Sequence, residues 1–452
     1  MRNNVFIKYI CVFLILIVIF VATLTLSSIF SSQSIYGNVQ ESSEVLLKEG
    51  NRKIIYIPYR QTKMEFDNYT DALMINTAYS IDSETPLYSA FVARKNYIPD
   101  VTTRVYEDAV GELKSSSKYK YHNEVGELND VVNGENAESF EYARYWHGYL
   151  TVLRPLLLLF NITQLRVILT ILLIILSIIL AIALHKKTNI IVSIVFLLSL
   201  WSVEYFYLGF SLQGIFVFLI AVISSIVLII RFKRIKYIGL LFFVTGMITN
   251  FFDFLTVPLV TLAIPLIIYL ALIQREENIT LKQEIIDIIK YSVLWVIGYG
   301  LTWFTKWILI DLIYGRSMIK TSIQQVLYRS VDVRKFNVLD VIGVNYSYIA
   351  LPFIVSIIFT CFTIILKVIF DKNVKFDFKR DINPKELIKV LFPYILISCM
   401  PFAWYFVLQN HSLFHAFFTY RNLCIMVMCI NLCIERTSTI YLDREENCKN
   451  IK

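Results

Sequence analysis

The chain has 452 residues, of which 57% are hydrophobic and only 17% charged, with a formal net charge of +8. The apolar excess excludes an ordinary soluble domain and places the chain among polytopic membrane proteins. The positive balance is not a nucleic-acid footprint, because Lys and Arg gather at alternate ends of the apolar runs, where the positive-inside rule puts them; no nucleic-acid partner is expected.

A helix crosses the hydrocarbon core with roughly 20 apolar residues, and about ten windows meet or approach that length. The expected fold is an all-α polytopic membrane protein with the lipid bilayer as its solvent. The first span, 9–29 within a leading segment 1–31, follows Arg2 and Lys8. It is longer than the roughly 7–15-residue apolar core of a signal peptide, so it reads as an uncleaved span with a cytoplasmic N-terminus. The hydrophilic segment 32–150 then lies outside, and its mixture of Pro, Gly and Ser with Tyr, Phe and Val suits a small helical cap better than a disordered tail.

Further spans are expected at 165–184, 190–208, 212–230, 237–248, 255–273, 289–310, 348–370, 390–408 and 423–433. They make a bundle over 151–434 with outer loops near 249–258, 311–345 and 409–422. The basic clusters His185-Lys186-Lys187 and Arg231-Phe232-Lys233-Arg234 land inside, as does a tail over 435–452. An amphipathic stretch at 318–328 suits the membrane interface. Seven cysteines occur, none in 32–150, and they read as small apolar fillers in helices.

Glu65, Asp67 and Asp71 stand in the outer segment. With a helix over 64–79, Asp67 and Asp71 share one face, able to hold a divalent cation or to supply a general base whose pKa the other raises. A solvated acidic helix face is the alternative. Glu204 near the end of the third span, and Asp253 among phenylalanines, each need a cavity or a packing partner at that depth. The run from Tyr142 to Tyr149 sets Arg144, Trp146 and His147 among aromatic rings, a composition that suits a glycosyl-phosphate or an interfacial aromatic belt.

His411 and His415 are one helical turn apart, but the zinc-protease pattern requires Glu where Ser412 stands. Together with Tyr420 and Arg421 they suit a phosphate or pyrophosphate leaving group, whose developing charge imidazoles and a guanidinium stabilise. No Gly-rich nucleotide loop or nucleophile elbow occurs, so no nucleotide cofactor is expected.

The large first outer loop with Glu65-Phe66-Asp67, roughly ten spans, and an ending that runs from Trp404 through His411-Ser412 to His415 and Tyr420-Arg421 together resemble the GT-C superfamily of integral-membrane glycosyltransferases. The resemblance implies a GT-C-like fold at the plasma membrane. It also implies transfer of a sugar from a polyprenyl-phosphate donor to an extracytoplasmic glycan, lipid or cell-wall polymer, with an acid of the first loop as catalytic base. By that likeness Asp67 is the base, and Glu65 or Asp71 a helper or metal ligand. Arg144, His147, His411, His415 and Arg421 would then hold the donor phosphate in a pocket with Glu204, Asp253, Trp146 and Tyr420. In the family the acid follows the first span closely, whereas about 35 residues separate Ile29 from Glu65 here, so the choice among the three acids stays open. A flippase for a lipid-linked glycan, or a polysaccharide polymerase or ligase, would share the oily body and outer loop.

Overall fold

Helices dominate the computed structural model, which describes residues 2–55, 64–98, 123–134, 137–232, 237–276, 279–330, 337–370, 374–376 and 384–444. Among these residues, seven helices are long and apolar enough to cross a bilayer: Val5–Ser27, Ile162–Lys187, Leu212–Arg231, Leu281–Tyr314, Ala350–Phe370, Pro384–Val407 and Ala416–Ile440. The chain is a multi-pass, largely helical membrane protein. Only 6% of the first of these windows is buried inside the molecule, against 72% of the last. The first span therefore stands at the periphery with Leu14, Ile15 and Val18 turned outward, and the last forms the centre of the bundle.

Three of the expected spans fall on shorter apolar helices, Ile190–Ser202, Ile238–Phe252 and Val260–Ile273. At 13, 15 and 14 residues they reach only about 20–22 Å, less than a hydrocarbon core of about 30 Å. The span expected over 190–208 stops at Ser202 because Glu204 takes a left-handed conformation, φ +60°, and a 3-10 turn follows over Tyr205–Phe210. The one expected over 255–273 starts late because Asp253 folds the chain back on Thr256. Non-helical backbone in a membrane protein is tolerated where it is buried in protein or lines a cavity. Both breaks contribute to the cavity described below.

Other boundaries move outward. The span expected at 289–310 is the 34-residue helix Leu281–Tyr314, capped by the Thr280 side chain and stopped by Gly315 at φ +62°. The last helical run is not confined to 423–433, and the tail expected from 435 is instead helical to Tyr441. Its polar residues hold it there: Asn189 donates to Glu435 at 2.6 Å, and Arg436 donates to the carbonyl of Ala271 at 3.2 Å. The expectations for 99–122, the basic run 233–236 and the tail 445–452 lie outside the described residues.

The Ile238–Phe252 and Leu281–Tyr314 helices cross at reciprocal glycines. A Cβ on Gly246 would stand 2.2 Å from the carbonyl oxygen of Trp295, and one on Gly298 2.2 Å from that of Phe243. Small residues let helix backbones approach this closely. Gly298→Leu forces them apart and is expected to cost about 1–3 kcal/mol or more, read as a lower thermal midpoint in detergent; an unchanged midpoint contradicts this crossing.

The segment after the first span is folded, with helices Tyr36–Glu49, Asn68–Tyr79, Pro86–Val92 and Glu124–Asn133. Two antiparallel strand pairs, Arg52–Ile55 with Met64–Asp67 and Arg94–Tyr97 with Glu138–Glu141, are too short to announce themselves by two-residue alternation. Arg154 fastens the segment to the bundle by donating to the carbonyls of Ser27 and Phe30 at 2.8 and 3.1 Å, a cation at the end of the first helix. Lys306 does the same from the Leu281–Tyr314 helix, donating to the carbonyl of Phe91 at 2.5 Å. The other ends of the bundle gather separately: Arg275 donates to the carbonyl of Thr188 at 3.0 Å and Gln274 to that of Val390 at 3.2 Å, beside the Asn189–Glu435 pair.

Candidate functional site

Asp67 lies where strand becomes helix. Met64–Asp67 is extended and the helix begins at Asn68, because the Asp67 carboxylate accepts the Thr70 N–H at 3.2 Å and the Thr70 hydroxyl at 2.5 Å. A helix over 64–79 that puts Asp67 and Asp71 on one face is thereby ruled out. Desolvation raises the Asp67 carboxyl above the ordinary range, against the pull of the Thr70 bonds and of Arg52. Glu65 pairs across the hairpin with Arg52 at 2.9 Å.

Glu65 and Asp67 border a shallow recess that is open to solvent. A second wall is Ser211, Gln213 and Gly214 at the start of the Leu212–Arg231 helix, and a third is Thr256 and Val257 in the break before Val260. Phe417, Phe418 and Arg421, from the start of the last span, complete it. Residues from the two ends of the chain thus meet in one hollow, and the Arg52 guanidinium lies 5.0 Å from the Phe417 ring.

Arg421 is 5% exposed. One Nη donates to the carbonyl of Phe417 at 3.3 Å, while Nε has no partner among the described residues. Behind it, the Tyr420 hydroxyl donates to Glu204 at 2.7 Å, and the Tyr420 ring stacks on Tyr348 at 4.7 Å. Glu204 and Tyr420 are therefore a support for Arg421 rather than lining of the recess. The Tyr348 hydroxyl is raised first by burial and is also in the field of Glu65, Arg52, Arg421 and Glu204.

The two histidines also stand one layer back. His411 Nε2 is 2.8 Å from the carbonyl oxygen of Leu255, and the His415 ring lies 4.8 Å from His411 and stacks on Phe418 at 5.1 Å. Burial lowers His415 to about 4 and His411 well below its usual value, and Arg329 pushes both further down. They are neutral near pH 7, so neither supplies the cationic charge expected for a phosphate. Asp253 backs Thr256, accepting its N–H at 2.9 Å and its hydroxyl at 2.5 Å, and burial raises its carboxyl to about 6.

Asp71 faces another way. Fully buried, it accepts the N–H of Leu212 at 2.9 Å, and its second oxygen lies 3.9 Å from Arg166. Burial raises it to about 7, partly offset by Arg166. Arg166 in turn donates to Glu49 at 2.8 Å and to Asn68 at 2.9 Å. Asp71 thus reaches the recess only through the helix turn that it caps.

Arg144, Trp146 and His147, expected near the donor, do not line the recess either. The Arg144 carbonyl accepts both the Trp303 and the Trp307 indole N–H at 3.1 Å, and Trp146, fully buried, donates to the carbonyl of Thr302 at 2.8 Å. His147, at φ +56°, sits 2.6 Å from the carbonyl oxygen of Tyr142 and packs among Tyr142, Tyr149 and Phe254. These residues clamp the 251–256 segment, helped by the Gly148 N–H on the carbonyl of Phe251 at 2.9 Å. Burial pulls the His147 imidazole down to about 3.

A histidine held neutral in the fold is protonated more readily in the unfolded chain, whose value is about 6.5, so stability falls as pH drops below that value, by up to about 1.4 kcal/mol per unit. The thermal midpoint of the wild-type protein should drop between pH 6.5 and 5 more steeply than that of His147→Gln. Parallel curves contradict the buried neutral imidazole.

Among the described residues, no group of three His, Cys, Asp or Glu side chains is placed to hold a metal ion. Compared with known protein families, curated proteins and solved structures, the chain finds no match in any of the three. Several residues of the site escaped the sequence reading: Arg52, Ser211, Gln213, Gly214, Thr256, Phe417 and Phe418. Two signals were present. Asp67 is a favoured N-cap residue, which marks a helix start at Asn68, and Arg166 inside an apolar run marks an ionisable group that needs a partner.

Proposed function

We propose that the protein is a glycosyltransferase of the plasma membrane, GT-C-like in arrangement, with both termini cytoplasmic. It moves a sugar from a polyprenyl-phosphate donor to an extracytoplasmic glycan, lipid or cell-wall polymer. The observation that carries this reading is that an acid of the first loop, Asp67, and a buried cation of the last span, Arg421, border one recess. Asp67 accepts the proton of the acceptor hydroxyl as that oxygen bonds to the anomeric carbon. The bond from that carbon to the phosphate oxygen breaks, and the polyprenyl phosphate leaves with the electron pair, its charge stabilised by Arg421. Among the described residues each Asp67 oxygen accepts one bond, from Thr70, which leaves lone-pair capacity for the proton.

His411 and His415, neutral and behind Phe418, position the Phe417–Arg421 wall rather than the phosphate itself. The test is transfer of radiolabelled sugar from a polyprenyl-phosphate donor to an outer-wall glycan acceptor by the detergent-solubilised protein. A transferase moves label without compartments; a flippase leaves the label on its carrier and would displace this reading.

A further inference from the structure

Lys8 and Lys290 are exposed cations that the transferase reading leaves unused. At about 1.5 Å per helical residue, Lys8 stands roughly 28 Å along the first span from Ser27, whose carbonyl Arg154 holds. Lys290 stands roughly 24 Å along its own helix from Lys306, which holds the Phe91 carbonyl of the outer segment. A hydrocarbon core is about 30 Å thick. Both ammoniums therefore reach the headgroup layer at the membrane rim opposite the outer segment.

Three helices meet there at a glycine. A Cβ on Gly239 would stand 2.6 Å from Leu294, 2.9 Å from the Tyr9 hydroxyl and 3.8 Å from the Tyr291 ring, so the first span and the Leu281–Tyr314 helix close over the start of Ile238–Phe252. Lys8 precedes Tyr9 and donates to the Tyr237 hydroxyl at 3.3 Å, and the Lys290 ammonium lies 5.4 Å from the Tyr291 ring. Among the described residues neither lysine has a carboxylate partner, and the Tyr9 hydroxyl makes no hydrogen bond. Asp287, three residues before Lys290, is taken by Tyr269 at 2.7 Å and Gln283 at 3.0 Å. The positive-inside rule accounts for the sign of charge at this rim. It does not account for two unpaired ammoniums beside an unbonded hydroxyl. An apolar stripe turned out of the molecule leads away from each lysine: Ile15 and Ile19 on the first span, and Val293, Ile297 and Leu301 on the other helix.

We propose that this rim binds an anionic phospholipid, with the Lys8 and Lys290 ammoniums and the Tyr9 hydroxyl as donors to its phosphate and its chains along the two apolar stripes. The chains meet the same apolar surface whatever the headgroup, so selectivity lies in the charge: a lipid of net negative charge is held, and a zwitterionic one, whose ammonium cancels its phosphate, is not. Such a lipid bridges Lys8 to Lys290. It fastens the first span, whose membrane window is only 6% buried inside the molecule, to the rest of the bundle. The site stands apart from the recess and holds whatever reaction the recess performs.

The test titrates the full chain in neutral detergent with phosphatidylglycerol, phosphatidylcholine or inorganic phosphate and follows the thermal midpoint. Phosphatidylglycerol should raise the midpoint saturably, and phosphatidylcholine should not. The double variant Lys8→Gln with Lys290→Gln should need at least about tenfold more phosphatidylglycerol for half the effect, from two lysines at a charged lipid surface, and Lys8→Arg with Lys290→Arg should restore it. Lys186→Gln with Lys187→Gln, two exposed lysines outside the site, should leave the titration unchanged. An equal loss in that control pair would mean diffuse surface charge and overturn the proposal. So would an equal response to phosphatidylcholine, or the same shift produced by inorganic phosphate alone. Should the Lys8 and Lys290 variant fail to fold, native mass spectrometry of the unaltered protein decides: preferential retention of phosphatidylglycerol supports the site, and equal retention of both lipids overturns it.

Discussion

Asp67→Asn is expected to lower sugar transfer by about 10²- to 10⁴-fold, the usual contribution of a positioned general base, while the protein folds and inserts normally. The substitution separates two roles. Asp67 caps the Asn68–Tyr79 helix through Thr70, and Asn caps a helix about as well as Asp, so the local structure survives. What is lost is the capacity to take a proton. Transfer from a radiolabelled polyprenyl-phosphate donor, with the thermal midpoint as control, measures both. Full activity in Asp67→Asn defeats the assignment. In the wild-type protein, the base must be unprotonated and burial has raised it. The rate should therefore rise with pH through a limb that lies above the ordinary Asp value of about 3.9.

Arg166→Ala is expected to cause the largest loss of stability, about 3–5 kcal/mol, because removing one partner of a buried pair leaves an uncompensated charge. Arg166 is 4% exposed and projects from the second span into the outer segment, where it holds Glu49 at 2.8 Å and Asn68 at 2.9 Å beside Asp71. Its loss frees the Tyr36–Glu49 and Asn68–Tyr79 helices from the bundle and with them the hairpin that carries Glu65. Denaturation in detergent, followed by loss of helical signal and by proteolysis of the outer segment, reports it. A variant as stable as the parent would show that the segment is held elsewhere, for instance by Arg154 and Lys306.

Hydropathy alone made most of the bundle legible, because lipid leaves a long apolar record in each crossing helix. It failed where the helices stop short. At Glu204 the left-handed backbone interrupts an apolar run that read as continuous, and the turn that Asp253 closes on Thr256 delays the helix expected from 255 to Val260. The Glu435 and Arg436 pair read as the start of a polar tail, since their partners, Asn189 and the Ala271 carbonyl, are far away in sequence.

The site was legible in part for the same reason. Asp67 stood out as an acid of the hydrophilic outer segment and Arg421 as a cation near the end of an apolar run, and both line the recess. Trp146 and His147 also stood out, but their composition could not distinguish a sugar platform from a packing clamp; the Trp146 bond to Thr302 and the contacts of His147 with Phe254 decide it. Gln213 and Gly214 carried no signal, because nothing in an apolar run marks which residues of its first turn will wall a recess.

The account depends on the recess facing outward, with the acid from one end of the chain and the cation from the other on the same surface. Gln213, part of its wall, tests this as Gln213→Cys in a background without native cysteines, labelled in intact cells by a membrane-impermeant maleimide alongside Glu65→Cys and Lys187→Cys. Positions 213 and 65 should label without permeabilisation and 187 only after it. Labelling of 213 together with 187, or of 65 and 213 from opposite sides, would contradict the account.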